Sequence, residues 1–316
     1  METLAVVMQQ PRTVTLSRLP LSPLADGEVA VQVRWSGIST GTERLLWTGE
    51  MPEFPGMGYP LVPGYETVGE ITHAAVGLES RIGELVFVSG ARCYGEVRGL
   101  FGGAASNLIC PAEKAIAISS ALEAKGVLLA LAATARHACQ KARHQAAPDL
   151  VIGHGVLGRL IARLIVADGH PPPTVWEVNA ARREGEFAYP VIDPATDQRR
   201  DYGCICDVSG DTRVLDELIS RAAPQGELIL AGFYASRVSF DFPPAFMREL
   251  TIRIAAEWQP ADLQHVVAMA DRGELNLGGL ITHTVAAVDA ADAYTTAFSD
   301  DACLKMILDW SDTSEC

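Results

Sequence analysis

Between residues 150 and 177 the chain sets an apolar run, Leu150-Val151-Ile152, directly before Gly153-His154-Gly155-Val156-Leu157-Gly158. A helix-compatible stretch follows from Val156 to Asp168, then a second apolar run, Thr174 to Val178, that contains Glu177. A glycine triplet alone says little. Placed after a strand, opening a helix and followed by an acid at this spacing, it describes a dinucleotide-binding unit. Gly153 permits the tight turn, Gly155 lets the backbone approach a pyrophosphate, and Gly158 lets the helix lie close on the strand. The helix N-terminus presents unbonded N–H groups and a positive dipole end to phosphate. Glu177 is placed to accept hydrogen bonds from the adenosine ribose and to repel a 2′-phosphate, which favours NAD. Arg182 and Arg183 follow closely and offer the opposite choice, or a solvated turn. His154 either reaches the cofactor or packs its side chain away.

The rest of the chain can be organised around this unit. Before residue 118 it reads as short strands broken by Gly and Pro: Val29 to Trp35 alternates as a strand does, and Leu85 to Val88 is a short apolar strand. A small antiparallel barrel fits that pattern. Leu122 to Lys141, rich in Ala and Leu, reads as a helix leading into an alternation of strands and helices, hence a parallel sheet wrapped by helices. Tyr202 to Val208 and Glu227 to Ala231 read as further strands, with a helix from Thr212 to Ala223 between them. Towards the C-terminus two helices, Asp262 to Arg272 and Asp289 to Phe298, flank a strand at Leu280 to Val285. We therefore expect an α/β protein with a barrel domain over 1–118, a doubly wound dinucleotide domain over 119–260, and a return to the first domain over 261–316.

Composition narrows the partners. The net charge of −14 disfavours nucleic acid. No run of about 18 apolar residues suggests membrane insertion, and METLAVVMQQP does not read as a signal peptide. The seven cysteines, Cys93, Cys110, Cys139, Cys204, Cys206, Cys303 and Cys316, form no paired CxxC spacing. Reduced thiols in a cytoplasmic protein are the expectation.

Trp35-Ser36-Gly37-Ile38-Ser39-Thr40, Pro63-Gly64-Tyr65-Glu66-Thr67-Val68-Gly69, the glycine loop and Asp207-Val208-Ser209-Gly210 occur in an order that resembles the medium-chain dehydrogenase/reductase family. The resemblance implies a GroES-like β-barrel substrate domain, a Rossmann dinucleotide domain with Ser209 beside the cofactor, and, by analogy with relatives, a homodimer. The departures matter as much. Zinc alcohol dehydrogenases carry a cysteine where Ser39 stands and a histidine where Tyr65 stands. The structural zinc lobe would fall between Ser89 and Cys110, where only Cys93 and Cys110 occur. Neutral hydroxyls are poor ligands beside thiolate and imidazole, so neither a catalytic nor a structural zinc is expected.

Gly37 to Arg44, Pro55 to Glu66, Thr134-Ala135-Arg136-His137-Ala138 and the Gly-His-Gly loop further resemble the bacteriochlorophyll-biosynthesis branch of that family. This implies a tetrapyrrole substrate whose 3-(1-hydroxyethyl) group is oxidised to acetyl with NAD. Without a metal, a side chain must take or relay the alcohol proton. Tyr65, Glu66, Thr40 and His137 are the candidates. Glu43 is a further acid nearby. Trp47, Phe54, Met57, Tyr59 and Trp258 are candidates for an apolar pocket around a flat ring, with a core beneath a proline-rich loop as the other reading. Two other functions remain open: a zinc-free NADPH-dependent enoyl or quinone reductase, and a non-catalytic nucleotide- or pigment-binding protein.

Overall fold

The computed structural model describes residues 2–315, so Cys316 lies outside the description. The chain divides into two compact units, Met1–Ala130 with Leu277–Cys316, and Leu131–Asn276.

The first unit is built on two sheets. In the larger, the long strand Glu28–Ile38 is the hub. It pairs antiparallel with Thr67–Ala74, Asn107–Pro111 and Met306–Asp309. Its alternating sequence sends Val29, Val31 and Val33 into the core, while Gln32 and Arg34 face out. The last strand, Met306–Asp309, thus closes onto the beginning of the chain, joined in parallel by His283–Ala286. The smaller sheet pairs Glu2–Gln10 with Thr13–Pro20 and Leu61–Val62, an N-terminal hairpin the sequence reading had not picked out. Ala293, Tyr294, Leu308 and Trp310 share one core with Val6, Val29 and Leu108, so the C-terminal segment is part of the same hydrophobic body.

The second unit is a six-stranded parallel sheet, ordered Val191–Ile192, Thr174–Trp176, Leu150–Ile152, Tyr202–Asp207, Ala222–Leu230, Thr251–Ile254. Counted along the chain this is 3-2-1-4-5-6, the doubly wound order. The order reverses between Leu150–Ile152 and Tyr202–Asp207. The carboxyl ends of those two strands, Ile152 and Asp207, lie side by side in register. A crevice at such a switch point is where this architecture binds ligands.

Several elements differ from the sequence reading. The stretch read as one helix from Leu122 to Lys141 is a 3-10 turn, Ser120–Leu128, followed by the α-helix Leu129–Cys139. Glu123, at φ 47°, breaks the regular helix. The strand expected at Leu280 to Val285 starts at His283, where the ladder with Met306–Asp309 begins. The helix Pro260–Asp271, assigned from sequence to the returning segment, belongs to the second unit, where Asp262 meets His137.

Candidate active site

In the first unit the strand Glu28–Ile38 ends at Ser39, and the helix Thr42–Thr48 begins a few residues later. Glu43 closes the turn between them. Its N–H donates to the Ser39 carbonyl, and its Oε1 accepts the Ser39 N–H at 3.2 Å. The other carboxyl oxygen, Oε2, accepts from Tyr294 Oη at 2.7 Å. Ser39 Oγ lies 2.6 Å from Tyr65 Oη, and the Tyr65 ring stands edge-on to Phe101 at 5.2 Å. The next residue, Glu66, turns the other way. Both its carboxylate oxygens accept from Lys305 Nζ, at 2.9 and 2.7 Å, and the third ammonium hydrogen goes to the Ile38 carbonyl at 3.1 Å. Gly37 makes room for this: a Cβ there would lie 2.1 Å from Glu66 Oε2.

The cluster is dry. Glu43 and Glu66 are fully buried and Lys305 almost so. Burial pushes the Glu43 carboxyl up to about 8, with the Glu66 charge adding to the rise and the Tyr294 hydrogen bond and Lys305 opposing it. Burial, then Glu66, drives the Tyr65 phenol well above its ordinary value against the opposing Ser39 contact, so it stays protonated at neutral pH. Among the described residues no group of three or more His, Cys, Asp or Glu gathers in a way that could hold a metal ion. At positions 39 and 65 a hydroxyl and a phenol bond to each other, and the neighbouring Glu66 carboxylate is taken up by Lys305.

In the second unit the glycine loop occupies the switch point. Gly153 has φ +99°, a conformation that side chains with a Cβ rarely adopt. A Cβ on Gly158 would lie 1.9 Å from the Gly153 carbonyl oxygen, whereas one on Gly155 would meet nothing within 4 Å. The helix Val156–Ala167 has Gly155 at its N-cap without a side-chain cap, leaving its first N–H groups for a ligand. Val156 is buried and Leu157 half-buried. Ser209 is exposed beside Gly153, its N–H fixed by Asp207 Oδ1 at 2.8 Å. Glu177 Oε2 accepts the His154 N–H at 3.0 Å and Oε1 the Asn179 N–H at 2.8 Å. The His154 ring is fully buried. It faces Arg182, Phe187 and Tyr189 rather than the mouth of the glycine loop. Glycines, helix N-terminus and acid together fit a dinucleotide.

The sequence candidates therefore separate. Tyr65 and Glu66 lie in one cluster with Ser39 and Glu43, Tyr65 facing Ser39 and Glu66 facing Lys305. Thr40 is half-buried in the adjoining turn. His137 belongs to the second unit, its Nδ1 2.8 Å from Asp262 Oδ2 at the start of the helix Pro260–Asp271. Of the pocket candidates, Trp47 packs on Phe298 at 5.5 Å with Arg12 5.1 Å from its ring centre. Met57 and Tyr59 pack on the core of the first unit, and the Tyr59 hydroxyl donates to the Leu46 carbonyl. Phe54 is exposed, and Trp258 is half-buried in the second unit. Sequence reasoning missed Lys305 and Tyr294. A lysine inside the apolar run Leu304 to Leu308 was the available signal, since a charge there needs a buried partner.

Residues 25–120 match the alcohol dehydrogenase GroES-like domain. Solved dehydrogenases share the whole fold at low identity. An alcohol dehydrogenase from Escherichia coli, solved with NADH, superposes with a TM-score of 0.83 at 22% identity, covering 98% of this chain and 99% of that one. L-idonate 5-dehydrogenase from the same species gives 0.85 at 16%, with coverage of 98% and 99%. Sequence relatives are nearer. The chain is 54% identical to 2-desacetyl-2-hydroxyethyl bacteriochlorophyllide A dehydrogenase of Cereibacter sphaeroides, over 99% of this chain and 100% of that protein. It is 53% identical to the protein of that name from Rhodobacter capsulatus, over 99% of both. The fold is the one these solved dehydrogenases share. Within that class the chain belongs to the family of the 2-desacetyl-2-hydroxyethyl bacteriochlorophyllide A dehydrogenases.

Proposed function

We propose that this protein oxidises the hydroxyethyl side chain of a bacteriochlorophyllide to an acetyl group, with NAD and without zinc. The observation that carries the reading is 54% identity, end to end, to a dehydrogenase named for that substrate. The glycine loop, the N-terminus of the helix Val156–Ala167, Ser209 and Glu177 would hold the dinucleotide. The chemistry supplied by the bound cofactor is acceptance of a hydride from the carbinol carbon. Glu177, an acceptor on the ribose side, supports NAD over NADP.

The proton is the task of the first unit. Tyr65 keeps its own proton and can give it to Ser39, 2.6 Å away, which leaves a phenol lone pair to accept the substrate O–H. As hydride leaves carbon, the hydroxyl proton passes to Tyr65, the tyrosine proton passes to Ser39, and Ser39 gives up its own hydroxyl proton to solvent at the half-buried turn of Thr40, so each oxygen loses one proton as it gains one. Neither residue has to hold a full charge. Glu66, pinned by Lys305, fixes the backbone beside Tyr65. Extended conjugation stabilises the carbon from which the hydride leaves, so a metal is not needed to acidify the alcohol. The Ser39–Tyr65 contact and the Glu66–Lys305 pair support the zinc-free reading.

The test mixes chelator-treated protein with NAD and 3-(1-hydroxyethyl)bacteriochlorophyllide a and follows absorption. A red shift of the long-wavelength band together with NADH formation supports the proposal. NADPH-driven reduction of an enoyl or quinone substrate instead, or stoichiometric binding without NADH formation, refutes it. A cytoplasmic location suits the thiols, since none of the described cysteines is disulfide-bonded. No described helix is long and apolar enough to cross a membrane. The proposal includes a homodimer, supported by the edge strand Thr251–Ile254 with exposed Ile254, Phe242 and Phe246 near it. Ile254→Lys should then sediment as a monomer, and an unchanged sedimentation coefficient refutes this edge as the interface.

A further inference from the structure

His154 does not use its ring on the ligand side of the glycine loop. Its Nδ1 lies 2.8 Å from the Arg182 carbonyl oxygen and its Nε2 3.2 Å from Tyr189 Oη. A carbonyl only accepts, so the proton sits on Nδ1, and Nε2 accepts from the tyrosine hydroxyl. The ring also stands edge-on to Phe187 at 4.7 Å and to Tyr189 at 5.7 Å, and those two rings stack at 5.7 Å. Arg159 completes the knot, donating to the His154 carbonyl at 3.0 Å and lying 5.2 Å from the centre of the Phe187 ring. Burial holds the imidazole down to about 4, against the Arg182 carbonyl bond, so it remains neutral at working pH. One residue of the glycine loop thereby fastens 182–189, while its own N–H reaches Glu177 Oε2.

This matters because 177–183 holds both answers to the cofactor question. Glu177 suits a ribose 2′-hydroxyl, and the Arg182–Arg183 pair suits a 2′-phosphate. In the fastened state the Arg183 guanidinium donates to the Glu177 and Val178 carbonyls at 2.8 and 2.9 Å and lies 3.3 Å from Asp193. Both Nη1 hydrogens are committed to those carbonyls, which holds the guanidinium against 177, 178 and 193 instead of free to turn towards a phosphate. We propose that His154 is a specificity-determining residue, a buried latch that keeps 177–189 in the arrangement presenting Glu177 and withholding Arg183, and so selects NAD over NADP. The inference rests on the NAD reading above.

Fluorescence titrations of NADH and NADPH against wild type, His154→Ala, His154→Asn and Tyr189→Phe test it, with circular dichroism as the folding control. Wild type should bind NADH more tightly. In His154→Ala the ratio of the two dissociation constants should fall by at least about tenfold, through weaker NADH and unchanged or tighter NADPH. The asparagine amide can still donate to the Arg182 carbonyl and should retain most of the preference. Tyr189→Phe keeps the stack and loses one bond, so it should fall in the same direction by a few-fold, and it carries the test if His154→Ala does not fold. A ratio unchanged in both His154→Ala and Tyr189→Phe, or equal weakening of both cofactors, overturns the latch while the NAD reading stands. Tighter NADPH in wild type overturns the NAD reading itself and the latch with it.

Discussion

Lys305→Met separates a buried ion pair from an ordinary surface one. Lys305 is 1% exposed and Glu66 0%. All three ammonium hydrogens are committed, two to Glu66 and one to the Ile38 carbonyl. Methionine fills similar volume but leaves a carboxylate with no countercharge, and the strand at Gly37 packs too closely for Glu66 to swing away. Breaking one side of such a pair costs about 3–5 kcal/mol, against a total stability for typical domains of about 5–15 kcal/mol. At about 2–4 °C per kcal/mol for a domain this size, the melting temperature should fall by roughly 6–20 °C. Urea unfolding followed by tryptophan fluorescence gives the free energy, with an unchanged slope showing that the same surface unfolds. Glu66→Gln combined with Lys305→Met removes both charges and should recover more than half of the loss. A single variant within about 1 kcal/mol of wild type, or a double variant no better than the single, refutes the assignment of an essential buried pair.

Three further outcomes follow from the same geometry. The Glu43 carboxyl, raised to about 8 by burial, binds its proton more tightly folded than unfolded, so its contribution is complete below its ordinary value of 4.5 and is lost as pH rises towards 8. Wild type should therefore lose several kcal/mol between pH 5 and about 8 relative to Glu43→Gln, at about 1.4 kcal/mol per unit, and parallel stability–pH curves refute this. Tyr65→Phe should keep the fold and NADH binding but lower kcat by about 10²–10⁴-fold, and a loss under about threefold removes Tyr65 from the proton path. Gly158→Ala puts a Cβ 1.9 Å from the Gly153 carbonyl, which forces the glycine loop to move. Stability should fall by about 1–3 kcal/mol and NADH affinity by at least about tenfold, and wild-type affinity in calorimetry shows that the close packing is not needed.

The nucleotide site of the second unit was legible because its chemistry is local. Strand, turn, helix and acid lie between residues 150 and 177, and each glycine answers to a contact within that span. The cluster of the first unit is not local. Lys305 meets Glu66 across 239 residues, and Tyr294 meets Glu43 across 251. No periodicity joins positions so far apart. They meet because Met306–Asp309 pairs with Glu28–Ile38, and Tyr294 sits in the core beneath the same strand. The domain limits were harder to read for a related reason. Pro260–Asp271 is an amphipathic helix that could cover either unit, and it is the buried Asp262–His137 contact that ties it to the second.

The charge balance of the first cluster ties these observations to the chemistry proposed. Two carboxyl groups are fully buried within reach of each other's charge, an arrangement that must be neutralised. Lysine neutralises Glu66, and near neutral pH a proton neutralises Glu43, while burial keeps Tyr65 as a phenol. The cluster then carries no net charge. A divalent cation added beside Tyr65 would need anionic ligands, and ionising Glu43 would supply only one, already shared between the Ser39 N–H and the Tyr294 hydroxyl. A neutral hydroxyl pair asks for none of this. In the reaction proposed above, charge would build on the extended ring system and cofactor, and the proton would leave through Tyr65 and Ser39 without an alkoxide that needs a metal to hold it.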